Sequence, residues 1–243
     1  MNIFQALILG IIQGLTEFLP VSSSGHVEIG SALFNIQSED NLLFLTIIHG
    51  ATSLSTIVVY RKDIAGIFRD LLTFRRTGSL DFTLKILFSA IPVLILGLFF
   101  KEEVEVFFGG RTMLVGTMLI VTSLLLAFAH FKGPTSRAVS YPAALGIGIA
   151  QAFAVMPGIS RSGATISTAL LLGVDREKAT RFSFLMVLIP ILGAMLLDII
   201  EIAQRPVIAE KMTFPVLLTG FLAAFITGIL ACRWMIQIGR AHV

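Results

Sequence analysis

Gln13-Gly-Leu-Thr-Glu17-Phe-Leu-Pro20-Val-Ser22-Ser23-Ser24-Gly25-His26 and Gln151-Ala-Phe-Ala-Val-Met-Pro157-Gly158-Ile-Ser160-Arg161-Ser162-Gly163-Ala-Thr165 are two polar islands in an apolar chain. Gln13, Ser22, Ser24 and Gly25 recur as Gln151, Ser160, Ser162 and Gly163, always 138 positions later. A constant offset over four residues marks a duplicated chain whose halves share one polar centre. One half brings a carboxylate, Glu17, and the other a guanidinium, Arg161.

The flanking segments decide the fold. Ile3–Phe34 and Tyr141–Val174 are each too long for one membrane span and too short for two spans plus a loop, given about 20 residues per span. Each keeps its Pro, Gly and Ser residues in the middle. The economical reading is a re-entrant hairpin: a half-helix in, a polar turn at membrane depth, a half-helix out. Such a turn is tolerated where it faces protein or a water-filled cavity. Two hairpins in corresponding positions of two halves point to a site near the midplane.

Working outward, five apolar runs are long enough to span: Leu42–Tyr60, Phe82–Phe100, Thr112–Phe131, Phe182–Leu197 and Thr213–Arg233. Pro92 and Pro190 should kink their helices. Composition agrees, with 56% hydrophobic and 14% charged residues, where a soluble domain carries about 25% charged. The fold class expected is an all-α polytopic membrane protein. It is a single membrane domain with an inverted-topology repeat, its halves spanning about 1–131 and 140–243, and two re-entrant helical hairpins meeting near the midplane.

Charge supports the threading. With Arg61–Lys85 placed inside, twelve Lys and Arg residues fall on the inner side, among them Arg61, Lys62, Arg181 and Arg233. Lys101, Arg111, Arg205 and Lys211 fall outside. This positive-inside bias also makes the two hairpins enter from opposite faces, as an inverted repeat requires. The basic balance, net +3, therefore reflects membrane topology rather than nucleic acid binding. The lone cysteine, Cys232, excludes an intramolecular disulfide. The N-terminal run has no preceding Lys or Arg and no small-residue cleavage site, so it does not read as a signal peptide. By symmetry one more span is expected after Arg233. The terminal Ile238-Gly-Arg-Ala-His-Val243 back-translates to a common sequencing-adapter sequence and is expected to be foreign to the protein.

The candidate chemistry follows from residue types. An ionisable side chain at membrane depth costs about 2.5–3.5 kcal/mol, so Glu17 is expected to be functional. Gln13 lies on the same helix face, four residues earlier. Ser22, Ser23, Ser24 and Gly25 form a turn running into a helix start, where hydroxyls and free N–H groups cradle an anion. His26 can move a proton near neutral pH. In the second hairpin, Pro157-Gly158 breaks the incoming helix, and Ser160, Arg161, Ser162 and Thr165 line the start of the outgoing one. An arginine fork among hydroxyls suits phosphate oxygens. A bare Glu17–Arg161 lock between the halves leaves the clustered hydroxyls unexplained. The set suits phosphoryl chemistry on a lipid-borne phosphate. Glu17 is the motif's only acid, so magnesium or calcium would be held jointly by Glu17 and the substrate. His49 can line the cavity or make a packed polar contact. His130 is expected at an interface, and Glu102, Glu103 and Glu105 in a solvated loop.

These two motifs, in this order and spacing, closely resemble the bacterial undecaprenyl-diphosphate phosphatase family, also called bacitracin-resistance protein. The resemblance covers nearly the whole chain. It implies hydrolysis of undecaprenyl diphosphate to undecaprenyl phosphate and inorganic phosphate, recycling the lipid carrier for envelope polymers in the bacterial cytoplasmic membrane. The implied site opens toward the outer face and uses a divalent cation. The family's Glu/Gln-x-x-x-Glu motif falls on Gln13 and Glu17, its proposed nucleophile on Ser23, its histidine on His26, and its phosphate-binding motif on Ser160, Arg161, Ser162 and Thr165. Gln13 stands where Glu also occurs, which removes one metal ligand. Expected partners are a polyprenyl diphosphate, membrane lipids and at most a second copy of the chain as a homodimer. A transporter of lipid phosphate is the rival reading, since inverted repeats with broken helices serve transport as well. The Glu17–His26 acid/base set argues for hydrolysis.

Overall fold

The computed structural model describes residues 1–36, 42–72, 78–100, 112–133, 135–204 and 212–240. Among them ten α-helices follow in order, and no strand occurs beyond a lone bridge between Arg137 and Val174. The first hairpin is α1 (Ile3–Phe18) and α2 (Ser23–Leu33). Then come α3 (Leu42–Val59), α4 (Arg61–Leu72), α5 (Gly78–Phe99) and α6 (Thr112–His130). The second hairpin is α7 (Tyr141–Phe153) and α8 (Arg161–Leu171), followed by α9 (Arg176–Gln204) and α10 (Phe214–Arg240).

Five of these, α3, α5, α6, α9 and α10, are long and apolar enough to cross a membrane. Each matches an expected span. α9 and α10 are longer than expected, because the charged residues at their ends continue the helix rather than ending it. Both Pro92 and Pro190 lie within helices that continue past them. The segment after Arg61, expected as a charged loop, contains the amphipathic helix α4. Its Ile64 and Ile67, three residues apart, pack on the core. Arg75, Arg76, Lys101, Arg111, Arg205, Lys211, Glu102–Glu105 and the final Ala241-His-Val243 lie outside the described residues. Ile238–Arg240 continues α10.

Polarity is distributed inside-out. Phe128, Met113, Leu98 and Phe131 are exposed, whereas Gln13, Thr52, Ser55, Gln151 and Ser183 are buried. Only 17% of the α6 window is buried in the protein, so most of that helix is turned outward from the bundle. Two apolar clusters hold the bundle. One joins α1, α3 and α10 through Leu9, Phe44, Ile48 and Ala224. The other joins α5, α7 and α9 through Ile86, Ile147, Phe182 and Met186.

The 138-residue offset extends well beyond the shared polar side chains. α1 and α7 begin at Ile3 and Tyr141, capped by Asn2 and Ser140. α2 and α8 begin at Ser23 and Arg161 and end at Leu33 and Leu171. Both then close with the same pair of main-chain bonds: Ile36 N–H to Ser31 and Asn35 N–H to Ala32, against Val174 N–H to Ala169 and Gly173 N–H to Leu170. This closure needs a left-handed residue, and Asn35 (φ 54) and Gly173 (φ 81) supply it. Packing is exchanged as well. α1 lies against α10 of the second half, and α7 against α5 of the first. Both contacts use a glycine at the same repeat position. A Cβ on Gly10 would stand 2.6 Å from the Gly220 carbonyl oxygen, and one on Gly148 would collide with the Ser89 carbonyl.

Candidate active site

The two hairpin turns bring their polar residues to one place. In the second turn, Gly158 takes the left-handed conformation (φ 92). Its counterpart in the first turn is Pro20, which is locked near φ −65°. The left-handed residue there is instead Ser22 (φ 68), a buried non-glycine. Such a conformation is costly and persists where the surroundings impose it.

Ser22 and Ser160 then play the same part. Each is the N-cap of its outgoing helix, accepting from Gly25 N–H at 3.3 Å and from Gly163 N–H at 3.0 Å. Each also contacts the hydroxyl two residues on, Ser24 at 3.3 Å and Ser162 at 3.2 Å. The turns are close neighbours: a Cβ on Gly25 would lie 3.4 Å from the Gly158 Cα.

Glu17 sits at the centre, its side chain 8% exposed. Oε2 accepts from Gln13 Nε2 at 3.0 Å and from the Ser23 hydroxyl. Oε1 accepts from Arg161 Nη2 at 3.4 Å, which ties the halves together. Ser162 Oγ donates to the Glu17 and Leu19 carbonyls at 3.3 and 3.2 Å, pinning the end of α1 to the start of α8. The Arg161 side chain is 25% exposed and touches the carboxylate at one long contact, so most of its donors remain open to an anion.

Other expected residues lie near but are differently engaged. His26 Nδ1 is 2.8 Å from the Ser22 carbonyl oxygen. With its proton on Nδ1 the ring donates to that carbonyl and leaves Nε2 as an acceptor. His26 is not among the residues lining the cleft at Glu17. Ser160 and Thr165 are buried, and the Thr165 hydroxyl donates to the Arg161 carbonyl at 2.8 Å. These two shape the α8 N-terminus.

The cleft also has walls that the motifs do not name: Thr52, Ser53 and Thr56 on α3, and Phe184, Val187, Leu188 and Ile191 on α9. Thr52 stands 3.5 Å from Gln13 Nε2. His49, one turn earlier, is close enough to act electrostatically on the Glu17 carboxylate. The signal was a polar stripe at helical spacing within an apolar span: Thr46, His49, Thr52 or Ser53, and Thr56. On the other side of the cleft, Phe18 meets Phe184 edge-on at 5.6 Å, and Phe184 meets Tyr60 at 6.2 Å.

Metal fit can be judged from the donors. Among the described residues no group of three or more His, Cys, Asp or Glu could hold an ion. Glu17 is the one carboxylate, and beside it the buried Gln13 Oε1 has no hydrogen-bond partner. Two hard oxygen donors do not make a cage, but they fit an ion whose remaining ligands come from a phosphate.

A family model described as bacitracin resistance protein BacA matches residues 6–243. The chain belongs to the BacA family. Among its BacA-like relatives, a protein named undecaprenyl-diphosphatase from Christiangramia forsetii is 51% identical over 98% of this chain and 90% of its own length. One of the same name from Parabacteroides distasonis is also 51% identical, with the same coverage. One from Korarchaeum cryptofilum is 38% identical over 100% of this chain and 94% of its own length.

Proposed function

We propose that this protein is a membrane-embedded phosphatase that hydrolyses undecaprenyl diphosphate to undecaprenyl phosphate and inorganic phosphate. The carrying observation is the convergence of Glu17, Ser23 and Arg161 from two separate hairpins inside a bundle of long apolar helices. The relatives' shared name supplies the substrate.

We further read the hairpins as re-entrant and the halves as inverted. α2, α7 and α8 have 11, 13 and 11 residues. At about 1.5 Å per residue each falls short of the roughly 30 Å hydrocarbon core. The matched helix ends and the exchanged packing of α1 on α10 and α7 on α5 support the duplication. On this reading the protein lies in the bacterial cytoplasmic membrane with its site open to the outer face. There it recycles the lipid carrier for the envelope and raises resistance to bacitracin.

The mechanism uses the residues as they stand. The open donors of Arg161 take phosphate oxygens, and the α8 N-terminus, shaped by Ser160 and Thr165, adds N–H groups of matching sign. Ser23 Oγ attacks the terminal phosphorus as its proton passes to Glu17, and the bond to the bridging oxygen breaks. The lipid monophosphate leaves with the electron pair of that bond, as a phosphate anion that needs no proton. Water then attacks the phosphoserine; Glu17 returns its proton to Ser23 Oγ as the serine–phosphorus bond breaks, and the proton lost by the water leaves with inorganic phosphate or to solvent. Direct attack by water positioned at Glu17 is the alternative route to the same products. Glu17 and Gln13 Oε1 are the residues that would share magnesium or calcium with the diphosphate, and a bound ion would offset phosphate charge.

The test is phosphate release from undecaprenyl diphosphate by detergent-purified protein, with magnesium or calcium, with chelator, and with Glu17→Ala. Release that needs both metal and Glu17 supports the reading. Absence of release from a folded, monodisperse sample overturns it and moves the question to lipid-phosphate transport in proteoliposomes.

A further inference from the structure

A second cavity, of about 460 Å3, lies where α3 ends, α9 begins and α10 ends. Its lining on α3 starts at Val59, just past Thr56 of the cleft, and on α9 it stops at Arg181, just before Phe184. The two hollows are thus stacked along the bundle, separated by the Phe18, Phe184 and Tyr60 rings.

Four cations, Arg61, Lys62, Arg181 and Arg233, line this cavity with two carboxylates, Asp63 and Glu177. Arg181 is committed: it pairs with Asp63 at 2.5 Å and stands over the Phe82 ring at 5.0 Å. Arg61 donates to the Val58 carbonyl at 3.0 Å, closing the end of α3. Lys62 and Arg233 reach the cavity from α4 and α10, and both are exposed. Four cations against two carboxylates leave this concave site, backed by the apolar Val59 and Ile236, with an excess of positive charge. The next residue on α10, Trp234, is 55% exposed. An outward indole beside an arginine at the end of a span marks the headgroup level of a bilayer.

Like charges gathered around a hollow repel one another unless an anion is present. A guanidinium fork and an ammonium together suit tetrahedral phosphate oxygens, and basic pockets between spans are where anionic headgroups bind. We propose that this cavity is a second phosphate-binding site, distinct from the catalytic cleft, held chiefly by Lys62 and Arg233. The phosphate comes from the headgroup of an anionic phospholipid or from free phosphate, both offering the same oxygens.

Native mass spectrometry of the detergent-purified protein separates the sources. Phosphatidylglycerol and phosphatidylcholine are offered in parallel, and thermal shift is measured against millimolar inorganic phosphate. A headgroup site retains phosphatidylglycerol over phosphatidylcholine, and Lys62→Gln/Arg233→Gln lowers that retention on the order of ten-fold. A site filled from solution instead shows a phosphate-dependent rise in Tm that the double variant loses. Lys62→Arg should keep whichever response the wild type shows. Absence of both lipid preference and phosphate stabilisation in the wild type overturns the proposal, as does a response that a monodisperse double variant retains in full. The readout is binding, so it stands apart from hydrolysis at Glu17.

Discussion

The Ser23 hydroxyl donates to the Glu17 carboxylate across the turn that joins α1 to α2. The candidate nucleophile and its candidate base are therefore already paired, while His26 is turned to the Ser22 carbonyl. This pairing favours the acid over the histidine for the activating role proposed above. It also gives Glu17 three tasks: accepting from Ser23, accepting from Gln13, and tying Arg161 to the first half.

Glu17→Gln should therefore reduce phosphate release by at least about 10³-fold, within the range for losing a positioned base. The amide keeps the shape, and Arg161 is partly solvated, so a monodisperse protein is expected. Turnover within a few-fold of wild type would remove Glu17 from the chemistry.

Ser23→Ala should abolish the burst of 32P-labelled protein from terminally labelled substrate and lower steady-state turnover on the order of 10³-fold, the scale of losing a nucleophile. Near-native turnover in this variant would leave direct water attack as the route.

Arg161→Lys keeps the charge opposite Glu17 but loses the fork that grips two oxygens at once. Its Tm should stay close to wild type, because the replaced contact is a single one at 3.4 Å. Its kcat/KM should fall by roughly two orders of magnitude, on the scale of losing one electrostatic donor. Wild-type kinetics would show that Arg161 only fastens the hairpins.

Chelation should stop hydrolysis and leave the fold intact. Among the described residues no donor cluster could hold a structural ion, so Tm in chelator should match Tm in magnesium before substrate is added. A large loss of Tm on chelation would reveal a structural metal instead.

Gly148→Ala should lower stability by about 1–3 kcal/mol, the usual cost of forcing a methyl into a packed contact. The new Cβ would strike the Ser89 carbonyl and push α7 from α5. Gly116→Ala, which meets nothing within 4 Å, is the control and should be neutral in the same thermal-shift assay. Equal Tm values for both variants would contradict the close approach.

Much of this was legible in the chain. The spans followed from apolar length, and the helix starts after both turns followed from the Pro, Gly and Ser residues clustered in mid-segment. The convergence of Glu17 and Arg161 followed from treating two charges at depth as one site. What stayed hidden has physical causes. The repeat in main-chain geometry was masked because Asn35 and Gly173 are different residues chosen for the same left-handed turn. α4 is hidden because its charges outweigh the apolar spacing of Ile64 and Ile67. The cleft walls on α3 and α9 are set by helix rotation, which spacing within one motif does not report. The direction of His26 depends on the strained turn at Ser22, where Pro20 forces the first hairpin to differ from the second.

Phe18, Phe184 and Tyr60 stand ring to ring between the two hollows. Along α3 the hydroxyls of Thr52 and Thr56 turn back onto their own helix, to the His49 and Thr52 carbonyls. The rings set an apolar layer between the hollows. A charged group held in one is thereby insulated from a charged group held in the other.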